Sequence, residues 1–254
     1  MLLMPASRKS SSLAPVTAAE GKAPNGFSGF PEAGFRLLQQ LKKNNNREWF
    51  EDRKAAYKQT VHQPMELLVS AVSDECRARG LPLFAKGKNP VMRVYRDIRF
   101  SADKTPFKTH VAAELRRSFS GSQAMLYLHF APERSFVAAG VWQPDRPLLQ
   151  AWRAAMMNKP EEIEQVAASL KRKKLELDFE YSLSSMPRGF ANFARSPIAP
   201  FLKLTSFVMT RTVERDACIS DKLVGTIGAF ASDARPLLEF AWKVEETLPK
   251  SFTD

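Results

Sequence analysis

From Pro31 onward the apolar positions recur at one period, then another, and the change of period divides the chain. Phe35, Leu38 and Leu41 follow Pro31 at helical spacing, and the polar run Asn44-Asn45-Asn46 closes that segment. Asn46 can cap a second helix, from Arg47 to about Val61, with Phe50, Tyr57 and Val61 on one face. Pro64 suits the first turn of a third helix, whose stripe of Met65, Leu68, Val69, Val72 and Cys76 runs until Gly80. The period then drops from 3.6 residues to two. Val91–Tyr95, His110–Arg116, Met125–Phe130 and Ser135–Trp142 read as strands, and the turn residues at Ser118–Ser122 and Pro132–Arg134 predict two antiparallel hairpins. Helices return at Pro147–Met157 and Pro160–Leu170, the latter with Glu161 and Glu162 at its positive end. Leu204–Thr212 predicts a fifth strand. The C-terminal third ends in helical spacing through Leu223, Ile227 and Phe230, then through Leu237, Phe240, Ala241, Val244 and Leu248 after Pro236.

Strands in the middle and helices at both ends predict an α+β fold, a central, mainly antiparallel sheet flanked by N-terminal and C-terminal helices. No repeat or long linker interrupts the chain after residue 30, so residues 29–250 are expected to form one domain. Residues 1–28 are rich in Ser, Ala, Pro and Lys, which predicts a disordered tail. That stretch lacks the apolar core of a secretory signal, and Arg8 is its sole arginine, too few for a typical transit peptide. No apolar run approaches the roughly 18 residues of a membrane span, so no membrane partner is expected. Cys76 and Cys218 form no C-x-x-C pair and read as buried free thiols of a cytoplasmic protein.

Charge alters this bland picture. The net charge is +11, and nine Lys/Arg against three acids between Lys86 and Arg117 supply about half of it. Such a balance favours phosphates, carboxylates and nucleic acids as partners. Within this stretch the run Val91–His110, VMRVYRDIRFSADKTPFKTH, interleaves Arg93, Arg96, Arg99, Lys104 and Lys108 with Tyr95, Phe100 and Phe107.

The blocks Asn44-Asn45-Asn46-Arg47-Glu48-Trp49-Phe50, Arg93-Val94-Tyr95-Arg96-Asp97-Ile98-Arg99-Phe100-Ser101 and Asp103-Lys104-Thr105-Pro106-Phe107-Lys108-Thr109-His110 resemble the signature of the DUF2461 family. Tyr127-Leu128-His129, Val141-Trp142-Gln143-Pro144 and Met186-Pro187-Arg188-Gly189-Phe190 agree more weakly. The resemblance spans roughly residues 27 to 245 and implies a single compact domain. It implies no reaction, cofactor or catalytic residue, because the family has none established.

The chemistry of the basic run therefore rests on its residues. Arg93, Arg96 and Arg99 carry guanidinium forks suited to bidentate binding of an oxyanion, with Lys104 and Lys108 as point charges and Ser101 and Thr105 as neutral donors. Asp97 and Asp103 are expected to orient the arginines. The competing reading uses the same residues as an ion-pair network that holds a loop to the helical layer. Function divides accordingly: binding of an anionic small molecule, binding of nucleic acid with Tyr95, Phe100 or Phe107 stacking on bases, or a structural or partner-binding domain without catalysis. His110 is the weak candidate for proton transfer. His129 reads as a core histidine that can face His110 across a hairpin, and His62 as a surface residue. Two histidines with no third ligand at metal spacing predict no metal site, and no motif names a cofactor. Gly80 and Gly87 are too widely spaced for a phosphate-binding loop, and there is no G-x-G-x-x-G or G-x-S-x-G. Glu48 and Asp52 read as part of a solvated helix face, and Trp49 and Phe50 as core anchors.

Overall fold

A computed structural model describes residues 26–85, 87, 89–119 and 121–249. The chain opens with helices α1 (Glu32–Lys43), α2 (Arg47–Tyr57) and α3 (Gln63–Ala78). The sheet follows as β1 (Phe84–Ala85), β2 (Val111–Arg116), β3 (Ala124–Phe130) and β4 (Ser135–Val141). Helices α4 (Arg146–Asn158), α5 (Pro160–Arg172) and α6 (Ala199–Leu202) lead to β5 (Phe207–Val213), and α7 (Arg215–Cys218), α8 (Leu223–Asp233) and α9 (Arg235–Glu245) complete the fold. The five strands lie in sequence order and pair antiparallel throughout, so the fold is α+β.

Strand alternation gives the sheet two different faces. Val111, Ala113, Leu115, Leu126, Leu128, Phe130, Val137, Ala139, Val141, Phe207 and Met209 join the main core. Against that face pack α3, α8 and α9. Trp152 of α4 is fully buried and stacks on Phe207 at 4.0 Å between ring centroids. Ala112, Met125, Tyr127, Phe136 and Ala138 point to the second face and form a separate small cluster, with Met92 and Trp142 packed against it. Gly140 is required in β4 because a Cβ there would fall 2.0 Å from the Phe207 carbonyl oxygen.

Three expectations need correction. The second and third helices are not separate, because a π-helical turn, Lys58–His62, joins them. Pro64 has no N–H to offer the Thr60 carbonyl, and the chain widens so that the Gln63 N–H reaches Lys58 instead. Val91–Tyr95 is not a regular strand. Its contacts are isolated bridges, Val91 to Ala113 and Tyr95 to Phe107, because the outer edge of β2 is shared with the unforeseen β1. The packed domain also starts earlier than residue 29: Phe27 is buried, edge-on to Phe30 at 5.8 Å. The tail expectation for residues 1–25 lies outside the described residues. Asn46 caps α2 as expected, accepting from the Trp49 N–H at 2.9 Å. Cys76 and Cys218 are both buried and free. Among the described residues no helix is long and apolar enough to cross a membrane.

One buried carboxylate ties the sheet to the last helix. Glu245 of α9 accepts the N–H groups of Gln123 and Ala124, at 2.7 and 2.8 Å, where β3 begins. Truncation would strand two backbone donors, so Glu245→Ala is expected to cost about 1–3 kcal/mol. Glu245→Gln keeps an acceptor oxygen and should cost less. Chemical denaturation of the two variants checks the order, and equal losses would contradict the assignment.

Candidate functional site

The basic run folds into a loop that neutralises much of its own charge. Arg96 donates to the Asp103 carboxylate, to the Thr105 hydroxyl and, at 3.2 Å, to the Thr105 carbonyl. Its other terminal nitrogen lies 3.5 Å from the Ser101 hydroxyl. Arg99 grips Asp97 with two bonds, 3.0 and 2.7 Å long, and Lys104 donates to the Ile98 carbonyl at 3.0 Å. The Arg99 bonds hold the Asp97 carboxyl well below its ordinary range. The Thr105 N–H, with Arg96 behind it, lowers Asp103 to about 2. Asp97 and Asp103 thus sit on the arginines they were expected to orient. Among the described residues Arg96, Arg99 and Lys104 engage separate partners, and no contact joins them around a shared point.

The base of this loop is fixed by Asn45, which the sequence presented only as part of a polar run. Its side-chain amide donates to the Phe107 carbonyl at 2.9 Å and accepts the Phe107 N–H at 3.0 Å, as a neighbouring strand would. The Phe107 ring is buried and stacks on Phe50 at 4.1 Å. Phe107 is therefore core, and of the three proposed base-stacking aromatics it cannot serve. Tyr95 is partly exposed, while Phe100 is 97% exposed at the loop tip, with the Arg99 guanidinium 5.9 Å from its ring centre. Trp49 and Phe50 pack against or within the core, as read.

The remaining cations of the run lie elsewhere. Arg93 is exposed, Lys108 is half-buried, and among the described residues neither has an acidic partner within ion-pair distance. Burial pushes the Lys108 ammonium downward, and the nearby Arg93 adds to the effect. Lys108 in turn lies close enough to His110 to disfavour its protonation. Backbone bonds hold these neighbours in place: Lys108 N–H to the Val94 carbonyl and Met92 N–H to the Ala112 carbonyl, both 2.8 Å.

His110 leads directly onto the second face of the sheet. Its ring stacks on His129 at 4.2 Å, and His129 stacks on Phe136 at 4.6 Å. The Tyr127 hydroxyl lies 3.2 Å from Nδ1 of His129. Glu114 stands opposite Tyr127 in the ladder and pairs with Arg116 at 3.0 Å. The Nε2 atom of His110 is buried and has no hydrogen-bond partner among the described residues. Burial lowers His110 to about 4, with Lys108 contributing, and lowers His129 to about 2, with His110 and Arg134 contributing. Both imidazoles are neutral at pH 7. The expectation that they face each other is met, and Tyr127 is the partner the reading missed. Its signal was present: Met125, Tyr127 and His129 alternate onto one face of β3. His62 instead pairs with Glu66 at 3.5 Å on the helical side. Among the described residues no group of three metal-ligating side chains occurs.

A family model described as conserved hypothetical protein, DUF2461, matches residues 33–240, which is most of the chain. Neither the curated proteins nor the solved structures yield a match.

The buried histidines have a consequence for stability. Each takes up a proton less readily when folded than when unfolded. Between about pH 6.5 and about pH 4 the unfolded state therefore binds more protons, and stability falls as pH falls. The urea midpoint should drop across this window, and His129→Leu should flatten the slope. An unchanged slope in that variant would mean that His129 does not set it.

Proposed function

The chain belongs to the DUF2461 family, and we propose that it binds a phosphate- or carboxylate-bearing small molecule, with Lys108 and Arg93 as the principal cations. One observation carries this reading: a half-buried ammonium is kept beside a guanidinium, with no carboxylate of the described residues to neutralise either. Holding two like charges together costs free energy, and a bound oxyanion offsets it. Arg96, Ser101 and Thr105, with Asp103, give the adjoining loop its shape. Arg99 and Lys104 add positive potential at its rim, Asp97 fixing the former. The binding residues thus shift from the loop to its base compared with the sequence reading.

A ligand that binds only the native state at a hundred times its Kd adds about 2.7 kcal/mol of stability. Melting curves in phosphate, sulfate or citrate should therefore lie above those in chloride at matched ionic strength. Salting-out also raises melting points, so the variants decide. Lys108→Met and Arg93→Gln should lose the specific increment, Arg99→Gln should keep it, and Arg96→Gln should lower the melting point in every buffer. An increment that survives in Lys108→Met but disappears in Arg99→Gln would return the site to the loop. Identical responses in all variants would leave a structural role.

Nucleic acid remains a second reading because Phe100 stands almost wholly in solvent beside Arg99. An aromatic platform with an adjacent guanidinium suits unpaired bases. If that reading holds, Phe100→Ser should weaken binding of single-stranded RNA about tenfold or more while leaving the phosphate increment intact. No difference from wild type in a salt-controlled binding titration would exclude it.

A further inference from the structure

His110 stands between two unlike surroundings, and neither satisfies it. On one side is the cationic pair, Lys108 with Arg93 next to it; on the other is the stacked ring of His129. Its Nε2 atom is buried and makes no hydrogen bond to any described residue. A buried polar atom without a protein partner is costly, and a water molecule or a bound ion is the usual remedy. An oxyanion held by Lys108 would supply both the missing acceptor and the missing negative charge.

We propose that His110 is a ligand-binding residue of the anion site and that oxyanion binding is coupled to the uptake of one proton by the His110–His129 pair. The inference rests on the reading of Lys108 and Arg93 given above. The charged and titratable groups around the pair come from three elements. Lys108 precedes β2 and acts on His110, with Arg93 acting on Lys108. Tyr127 on β3 contacts His129, and Glu114 on β2 lies beside Tyr127. Arg134, at the β3–β4 turn, acts on His129. In the free protein the cations outweigh Glu114, which is itself paired with Arg116, and both rings stay neutral.

A doubly charged anion at Lys108 reverses the local field. Nε2 of His110 can then carry a proton and donate it in a hydrogen bond to the ligand. The second ring stays neutral, because two imidazolium rings stacked at 4.2 Å would repel each other. Buried Tyr127 keeps its hydroxyl proton, since its phenol is held well above the usual range, and can donate to Nδ1 of His129. That bond is lost if Nδ1 takes a proton, so the uptake falls to His110. The ligand class follows: a dianionic oxyanion such as a phosphate monoester or a dicarboxylate, in preference to a monoanion.

Sulfate is the chosen probe because its charge does not change between about pH 5 and about pH 8, so any pH dependence belongs to the protein. Titration calorimetry of the full chain with sodium sulfate, in two buffers of different ionisation enthalpy near neutral pH, should show net proton uptake on binding. Affinity should rise as pH falls, approaching tenfold per pH unit for a single linked proton. His110→Asn should bind more weakly and lose the pH dependence. A measurement on the wild type guards against misfolding of that variant: the imidazole resonance of His110 should titrate at higher pH with sulfate than without. Sulfate binding with no proton uptake and no pH dependence would overturn the inference and leave the anion site standing. The inference also falls if sulfate does not bind, and citrate stabilisation that depends on Lys108 would then show that the broader reading survives it.

Discussion

The structure depends on one asymmetry, a sheet whose two faces are buried by different means. One face is sealed by α3, α8 and α9, with side chains that are almost all aliphatic or aromatic. Burial of a Leu or Phe side chain contributes roughly 1.5–3 kcal/mol, and this face holds many of them. Charge is scarce on that face, where Arg211 of β5 pairs with Asp233 of α8 at 3.2 Å, and the polar side chains of β2 and β3 lie on the other. That is where Glu114, Arg116, Tyr127 and His129 project, around a floor that includes Ala112 and Ala138. The small cluster on that face buries the histidines enough to keep them neutral without covering them as a core would.

The basic loop obeys a more local rule. Its acids are spaced so that each arginine meets a carboxylate from its own segment, Arg99 two residues from Asp97 and Arg96 seven residues from Asp103. Such short-range pairs form at little entropic cost once the turn is made; the exposed Arg99–Asp97 pair contributes little to stability, whereas the more buried Arg96 also holds Thr105. Their effect is to fix the loop's shape. What the loop leaves without an acidic partner among the described residues is at its base, where Lys108 and Arg93 stand beside the edge of the sheet.

Much of this was legible in the amino-acid sequence, and what was hidden was hidden for physical reasons. Hydrophobic periodicity identified α1 and α3 because each buries one face, and β3 and β4 stood out as short apolar runs between turns because both of their faces are buried. It missed β1, a strand of two residues, since two positions carry no period. It made a strand of Val91–Tyr95, whose alternation is real but whose neighbours share an edge. The cationic residues could be named from their crowding. Which of them remain free could not, because the outcome turns on whether Arg96 reaches Asp103 or a ligand, and spacing alone allows both. Asn45 was invisible for another reason: its role is to imitate a backbone 62 residues away, and no local pattern marks that.

The brevity of β1 bears on how the protein avoids its own kind. An antiparallel meander ends in two strands with unpaired backbone groups, and a long straight edge invites a strand from another molecule. Here the margin beside β2 is broken into a two-residue strand followed by isolated bridges at Val91 and Tyr95. At the opposite margin the Asp178 N–H already occupies the Val208 carbonyl of β5. The border beside β2 therefore offers no continuous row of donors and acceptors, and it is a poor template for intermolecular strand addition. The same irregular margin that precedes Lys108 and His110 thus also disfavours the addition of a foreign strand on that side.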